Sequence, residues 1–399
     1  MDTAPQPRQT AKPGFDIFCR VIDNYGDIGV CWRLARQLAA RLRAAQSGSV
    51  SSAAEGNLVA PLTQAAPRIR LWVDDLASFA RIEPAIDPQT ATPQTAQGVE
   101  VYHWEQAEDE AVRPLQAVVE AFACELPPAY HARLRPGAQH WINLEYLSAE
   151  TWVEDCHGLP SPQANGVAKS FFFPGFTVRT GGLLREPGLL PARDAWLRDP
   201  ANRAGLLQSL GLPDAWSRGL LEQGWRQCYA FCYAHAPLQA LVDACQAQPQ
   251  PTVLLAAPGA PATKQDGERV MRVECPFVDQ HGFDRLLWSS DLNVVRGEDS
   301  FVRAIWAAKP FLWHIYPQQD EVHIDKLQAW LALAPCPPEA AELMRAWNRN
   351  DAGKAEASLA ALLAPEPWRA WRGQAARFSA QQAEHVDLAG QLLRFIQAR

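Results

Sequence analysis

Residues 15–38 read FDIFCRVIDNYGDIGVCWRLARQL, and this stretch decides the fold class. Phe15 to Ile22 is a nearly continuous apolar run of strand length. Asp23-Asn24-Tyr25-Gly26-Asp27 follows as turn chemistry, and then Val30, Leu34, Leu38 and Leu42 recur at every fourth position, with Trp32, Arg33 and Arg36 on other faces. A strand apolar on both sides, a polar turn and an amphipathic helix together open an α/β domain around a buried parallel strand.

The same alternation continues outward. Met1 to Gly14 is polar and Pro-rich, a flexible N-terminus without the apolar segment of a signal peptide. Residues 44–67, rich in Ala, Ser, Gln and Pro, read as a flexible insertion. Ile69 to Val73 is a second strand, and Asp74-Asp75 cap the helix after it. Pro84 to Gly98 reads as a loop, and Val99 to Trp104, Val118 to Ala123 and Trp141 to Leu144 as further strands. PGFTVRTGG, residues 174–182, reads as the crossing between domains. Beyond it, Gln227 to Tyr233, Pro251 to Ala256, Arg272 to Val278, Leu292 to Val295 and Pro310 to Trp313 form a second parallel set, with a helix at Leu238 to Ala247 and a helical tail from Ala357. The expected architecture is α/β: two facing Rossmann-like domains around a cleft. The N-terminal one spans 15–180, completed by a C-terminal helix at about 380–399, and the C-terminal one spans 181–379.

Composition narrows the partners. At 399 residues and 48% hydrophobic, the chain can bury two cores. A formal net charge of −7 argues against nucleic acid or an anionic membrane as the main partner. No run approaches the roughly 20 apolar residues of a membrane span. The nine cysteines contain no CxxC pair, which points to free thiols in a reducing cytosol rather than to zinc or disulfides. There is no G-x-S-x-G, no P-loop and no HExxH, so most hydrolase and NTPase chemistries fall away.

Four constellations remain. Asp23 and Asp27 flank a Gly-bearing turn at a strand's carboxyl end, where open sheets place ligands. Two carboxylates there repel a pyrophosphate and suit a cationic or proton-donating ligand, unless Asp27 merely caps the helix and Asp23 anchors the turn. Arg296-Gly297-Glu298-Asp299-Ser300 follows another strand and starts a helix whose amides and arginine suit an anion; the adjacent Glu298 and Asp299 oppose it unless they turn aside. Phe231 and Tyr233, two apart on a strand, either stack a nucleobase or belong to the core. His314-Ile315-Tyr316-Pro317-Gln318 offers hydrogen bonds to a sugar or phosphate, and His314 with His323 makes a poor metal site.

Taken together, these blocks resemble the bacterial EarP family of protein-arginine rhamnosyltransferases, which modify translation elongation factor P. The likeness runs from the opening stretch through INLEYLSAE, GGLLRE and FDRLLWSSDLNVVRGEDSFVRAIWA to KPFLWHIYPQ. It implies a GT-B fold, a dTDP-β-L-rhamnose donor, and inverting transfer without a metal or other cofactor. Asp27 matches the general base and Asp23 the carboxylate that holds the acceptor guanidinium. Phe231 and Tyr233 match the aromatics around the thymine, with Phe277 beside them. Gln280, Arg296, Glu298, Asp299, Ser300 and Tyr316 match the donor-side set around the diphosphate, and Glu298 also counts with the two aspartates as catalytic. The competing assignments are a GT-B transferase with another protein or small-molecule acceptor, and a nucleotide-sugar-binding protein without catalysis. An NAD-dependent oxidoreductase fails on the missing glycine fingerprint.

Overall fold

The computed structural model describes residues 11–22, 25–47, 67–90, 93–264, 267–318, 321–334 and 336–399. The chain divides into one unit formed by Met1–Pro187 with His385–Arg399 and a second formed by Gly188–Glu384.

In the first unit the strands are β1 (Gly14–Cys19), β2 (Arg68–Val73), β3 (Gln94–Ala96), β4 (Val99–His103), β5 (Ala117–Ala121), β6 (His140–Leu144), β7 (Pro160–Ser161) and β8 (Lys169–Phe172). They form one sheet in the order β3-β4-β2-β1-β5-β6-β8-β7. Only the edge strands β3 and β7 are antiparallel. Without them the order is that of a dinucleotide-binding sheet, with the direction of winding reversing between β1 and β5.

The apolar run that opens the chain is explained by burial on both faces. Phe15, Ile17 and Cys19 pack under the helix Gly26–Gln46, while Phe18 joins Trp72, Tyr130 and Trp141 on the other side. Asp16 is the polar exception on that second side, and it is fully satisfied. It accepts two hydrogen bonds from Arg70 at 2.6 and 2.7 Å, and others from Trp72 Nε1, Leu115 N and the Tyr130 hydroxyl.

The C-terminal helix Leu388–Gln397 buries Leu388, Leu392, Leu393 and Ile396 in the same core, each contributing about 1.5–3 kcal/mol. It is tied down by the Arg41–Asp387 ion pair at 2.5 Å and by Leu388 N donating to Leu183 O at 3.0 Å. Gly182 is left-handed at φ +72°, and a Cβ there would lie 2.4 Å from Val386 O, so only glycine lets the returning chain pass so close.

The second unit carries β9 (Arg226–Ala230), β10 (Thr252–Ala256), β11 (Val270–Glu274), β12 (Leu292–Arg296) and β13 (Phe311–His314). They form an all-parallel sheet in the order β11-β10-β9-β12-β13, so the switch point lies between β9 and β12.

Several sequence expectations shift. The division falls after Pro187 rather than after 180, and PGFTVRTGG belongs wholly to the first unit. The helix runs on to Gln46, into the insertion expected from Ala44, and residues 48–66 of that insertion lie outside the described residues. Pro84–Gly98 contains β3, whose three residues pair antiparallel with β4 and carry no periodicity to read. Strand β9 stops at Ala230 and β11 at Glu274, both short of the expected ends, because the chain beyond turns into loops at the sheet's carboxyl edge. Three helices, Leu189–Arg198, Pro200–Ser209 and Asp214–Glu222, were unread; they are short and mostly exposed, so little apolar periodicity marks them.

Candidate functional site

Asp27 follows β1, the central strand of the first unit, on one side of the reversal in winding order. It is the second residue of the helix Gly26–Gln46 and only 4% exposed. Its carboxylate turns back on the preceding loop, where Oδ2 accepts from Ile22 N at 2.8 Å. Asp74, just past β2, accepts from the neighbouring Val21 N at 2.9 Å. Two carboxylates from adjacent strand ends therefore grip consecutive amides of the β1 loop. Asp27 closes that loop, and the partial positive charge of the helix start steadies it. The Asp27–Ile22 bond runs to a loop amide before the helix rather than to one of the helix's own amides. Of the expected pair Asp74-Asp75, only Asp75 caps a helix, accepting from Ser78 N at 2.9 Å. Asp23 lies outside the described residues. Beneath the loop, burial and then Cys31 and Asp27 push the Cys19 thiol well up, which keeps it neutral and inert.

The other side of this reversal point is strained. Phe122, Ala123 and Glu125, directly after β5, all have left-handed backbones at φ 57°, 52° and 55°. Each costs on the order of 1–3 kcal/mol and persists only because the surroundings enforce it. Here Phe122 N donates to Leu144 O at 2.7 Å, Ala123 N to Asn143 Oδ1 at 3.1 Å, and Glu125 N to Glu120 Oε1 at 3.1 Å. Nothing in residue type announced this loop.

The second unit gathers its candidates at the carboxyl ends of β9, β12 and β13. Phe231 and Tyr233 stand in the loop after β9, not on the strand face expected of them. The Arg296 guanidinium, ending β12, lies 4.6 Å from the Phe231 ring centre and 4.8 Å from that of Tyr233. Tyr316, about half exposed, meets Tyr233 edge-on at 5.6 Å.

The turn from β12 into the helix Asp299–Ala307 is built by its own residues. Gly297 is left-handed at φ +61°, and its carbonyl accepts from Trp313 Nε1 at 2.7 Å. Ser300 Oγ accepts from Arg296 N at 3.1 Å and donates to Arg296 O. Glu298 turns away to Lys326, whose Nζ lies 2.7 Å from Oε1 with both side chains mostly buried. A lysine thus neutralises one of the two acids that opposed an anion here. Asp299 sits in the helix's first turn. Phe277, 36% exposed, and Gln280, buried, follow the edge strand β11, two strands away from β9.

His314, named from sequence as a possible ligand contact, is buried. Burial first, then His235, Arg296 and His323, depress its pKa to about 3. As a neutral ring its Nδ1 accepts from Tyr233 N at 3.4 Å, so it supports the aromatic loop. His323 Nδ1 likewise accepts from Gln318 N at 3.3 Å. A buried bidentate pair, Arg303 with Asp284 at 2.8 and 2.6 Å, joins the helix Asp299–Ala307 to the helix Gln280–Ser289. Among the described residues, no group of three or more His, Cys, Asp or Glu side chains is placed to hold a metal ion. In the same residues, no helix is long and apolar enough to cross a membrane.

The sequence model of the family described as elongation-factor P (EF-P) rhamnosyltransferase EarP matches residues 15–48 and 57–397. The chain belongs to the EarP family. Among its EarP relatives, the protein-arginine rhamnosyltransferase of Pseudomonas putida KT2440 is 44% identical over 96% of this chain and 98% of that one. That of Neisseria meningitidis strain H44/76 is 36% identical over 79% and 77%. A solved EarP structure, described as the basis of arginine glycosylation of translation elongation factor EF-P, superposes with a TM-score of 0.58 at 31% identity, over 97% of this chain and 99% of that one. The spinosyn rhamnosyltransferase SpnG, at 13% identity and a TM-score of 0.51, shares the fold alone. The fold is therefore GT-B, and this EarP family member is a rhamnosyltransferase. Lys326, Asp74 and the strained loop had no signal in spacing. Lys326 lies 28 residues from Glu298, and only folding pairs them.

Proposed function

We propose that this chain transfers L-rhamnose from dTDP-β-L-rhamnose to an arginine side chain of translation elongation factor P, with inversion and without a metal. The observation that carries this assignment is the buried Asp27 carboxylate, held at the carboxyl edge of the first sheet in a chain of the EarP family. The family is described by its action on elongation factor P, and the relatives' names specify a protein arginine.

An arginine guanidinium stays protonated near neutral pH, and its nitrogens are weak nucleophiles. Asp23 and Asp27 together hold the cation and localise its charge. As a guanidinium nitrogen bonds to the anomeric carbon, Asp27 takes the N–H proton. The bond from that carbon to the diphosphate oxygen breaks on the opposite face, which inverts the centre and releases dTDP. Phe231, Tyr233 and Phe277 surround the thymine. Gln280, Arg296, Ser300 and Tyr316, with the backbone amides that start the helix at Asp299, meet the charge gathering on the diphosphate, while the Asp299 carboxylate faces away from it. These fixed donors stand where other sugar transferases use magnesium. Glu298 completes the catalytic carboxylates, its orientation set by Lys326. The first unit receives the acceptor and the second the donor. All nine cysteines are free thiols, in keeping with a reducing cytosol.

The test is intact-mass spectrometry of elongation factor P after incubation with the protein and dTDP-rhamnose in the presence of EDTA. One added deoxyhexosyl unit, mapped to an arginine, is expected. No addition despite donor binding would instead point to another protein or a small-molecule acceptor.

A further inference from the structure

The carboxyl edge of the first sheet carries more than Asp27. Ala121, Leu144 and Phe172 form one row across β5, β6 and β8. Just beyond that row the chain places Phe122, Tyr146 and Phe173, with Glu145 between Leu144 and Tyr146. Phe122 follows β5, and the Tyr146 ring lies flat on it at 4.5 Å and 18°. Phe173 follows β8 and receives Trp152 edge-on at 5.4 Å.

Despite these contacts, Tyr146 is 40% and Trp152 49% exposed. Val178, on the loop after β8, is 77% exposed, and Ile22, whose amide binds Asp27, is 67% exposed. Arg179 fastens the Val178 loop to the Trp152 helix through Glu154 at 2.9 Å and Asp155 at 2.7 Å. With adjacent strands about 4.8 Å apart, the stripe from β1 across to β8 is roughly 14 Å long.

Soluble proteins seldom leave such a run of large apolar side chains in water without use. Exposed Tyr and Trp are the residue types that dominate protein–protein contacts. The borders of the stripe carry more acid than base: Glu125, Glu145 and Glu150 lie along these same loops, beside Glu154 and Asp155, which share Arg179. The strained Phe122–Glu125 loop fixes the ring on which Tyr146 rests.

Resting on the acceptor proposed above, we infer that this stripe is the docking surface for the acceptor protein. Ile22, Tyr146, Trp152 and Val178 take apolar side chains that flank the acceptor arginine on its loop, and the bordering carboxylates favour a basic neighbourhood around it. The occupant is a folded protein presenting an arginine-bearing loop. Free arginine or a short peptide would reach Asp27 but leave most of the stripe uncovered.

Steady-state transfer to elongation factor P is measured for Tyr146→Ala, Trp152→Ala and Val178→Asp, with Leu197→Ala of the second unit as control. Each of the three raises KM for the acceptor about tenfold or more, keeps kcat at saturating acceptor within about twofold, and leaves the dTDP-rhamnose Kd in calorimetry unchanged. Val178→Asp changes the most exposed position and keeps the test open if an aromatic truncation disturbs folding. If the wild-type chain modifies elongation factor P but Val178→Asp and both truncations leave KM unmoved, the docking surface is wrong and the acceptor stands. If the wild-type chain modifies no elongation factor P at all, the acceptor assignment itself fails and the surface falls with it.

Discussion

Replacing Asp27 by asparagine isolates proton transfer from architecture. The carboxylate does two things: its Oδ2 accepts from Ile22 N at 2.8 Å, and in the proposed reaction it takes the guanidinium proton. Asparagine keeps a carbonyl oxygen of the same reach, so the loop bond survives in neutral form. What is lost is the charge contribution to that bond and to the helix start, about 1–2 kcal/mol together. In a folding unit of about 200 residues, a loss of that size lowers Tm by roughly 2–8 °C. An amide cannot take the proton, and removing a positioned general base costs about 10²–10⁴ in rate, or roughly 2.7–5.4 kcal/mol. Asp27→Asn therefore folds, binds dTDP-rhamnose in calorimetry like the wild type, and transfers at least a hundredfold more slowly by mass spectrometry. Asp27→Ala is the harsher change, because it also leaves the Ile22 amide without its carboxylate. An Asp27→Asn enzyme retaining more than a tenth of wild-type kcat would refute the general-base role.

Three further outcomes follow from the second unit. Arg296→Ala removes the guanidinium beside Phe231 and Tyr233 and is expected to weaken donor binding about 10–100-fold in titration calorimetry, the worth of a charge-assisted hydrogen bond. Lys326→Met removes the positive charge beside Glu298 and leaves more net negative charge near the donor's phosphates, so donor affinity falls about tenfold or more, and by less in high salt. His314 is held neutral with its pKa near 3, while an unfolded histidine takes up a proton below about 6.5. Its neutral burial is thus fully tolerated above pH 6.5, and stability falls by up to about 1.4 kcal/mol per pH unit as pH drops from 6.5 towards 3. His314→Asn keeps an acceptor for Tyr233 N, and denaturant titrations at several pH values should show a flatter acid limb.

The strand–turn–helix of residues 15–46 was legible because its apolar spacing answers to local periodicity, and burial on both faces of β1 leaves an apolar run that no other element explains. Two Rossmann-like domains followed from repeating that pattern twice, and the family, with the GT-B class it implies, from long unusual strings such as DNYGDIG and RGEDSFVRA. Arg296 and Tyr233 were each visible as residue types at strand ends, yet the meeting of these two distant residues at 4.8 Å depends on β9 and β12 lying side by side. Lys326 on Glu298, Asp74 on the β1 loop and His314 under Tyr233 are likewise contacts across distant sequence, which periodicity cannot register. The left-handed run after β5 lies furthest from sequence. Phe, Ala and Glu do not favour that backbone, and the amide partners supplied by Glu120, Asn143 and Leu144 help hold it there. Local chemistry determined which elements form, and tertiary packing decided which side chains meet, because contact energies between distant residues exist only once the sheets are assembled.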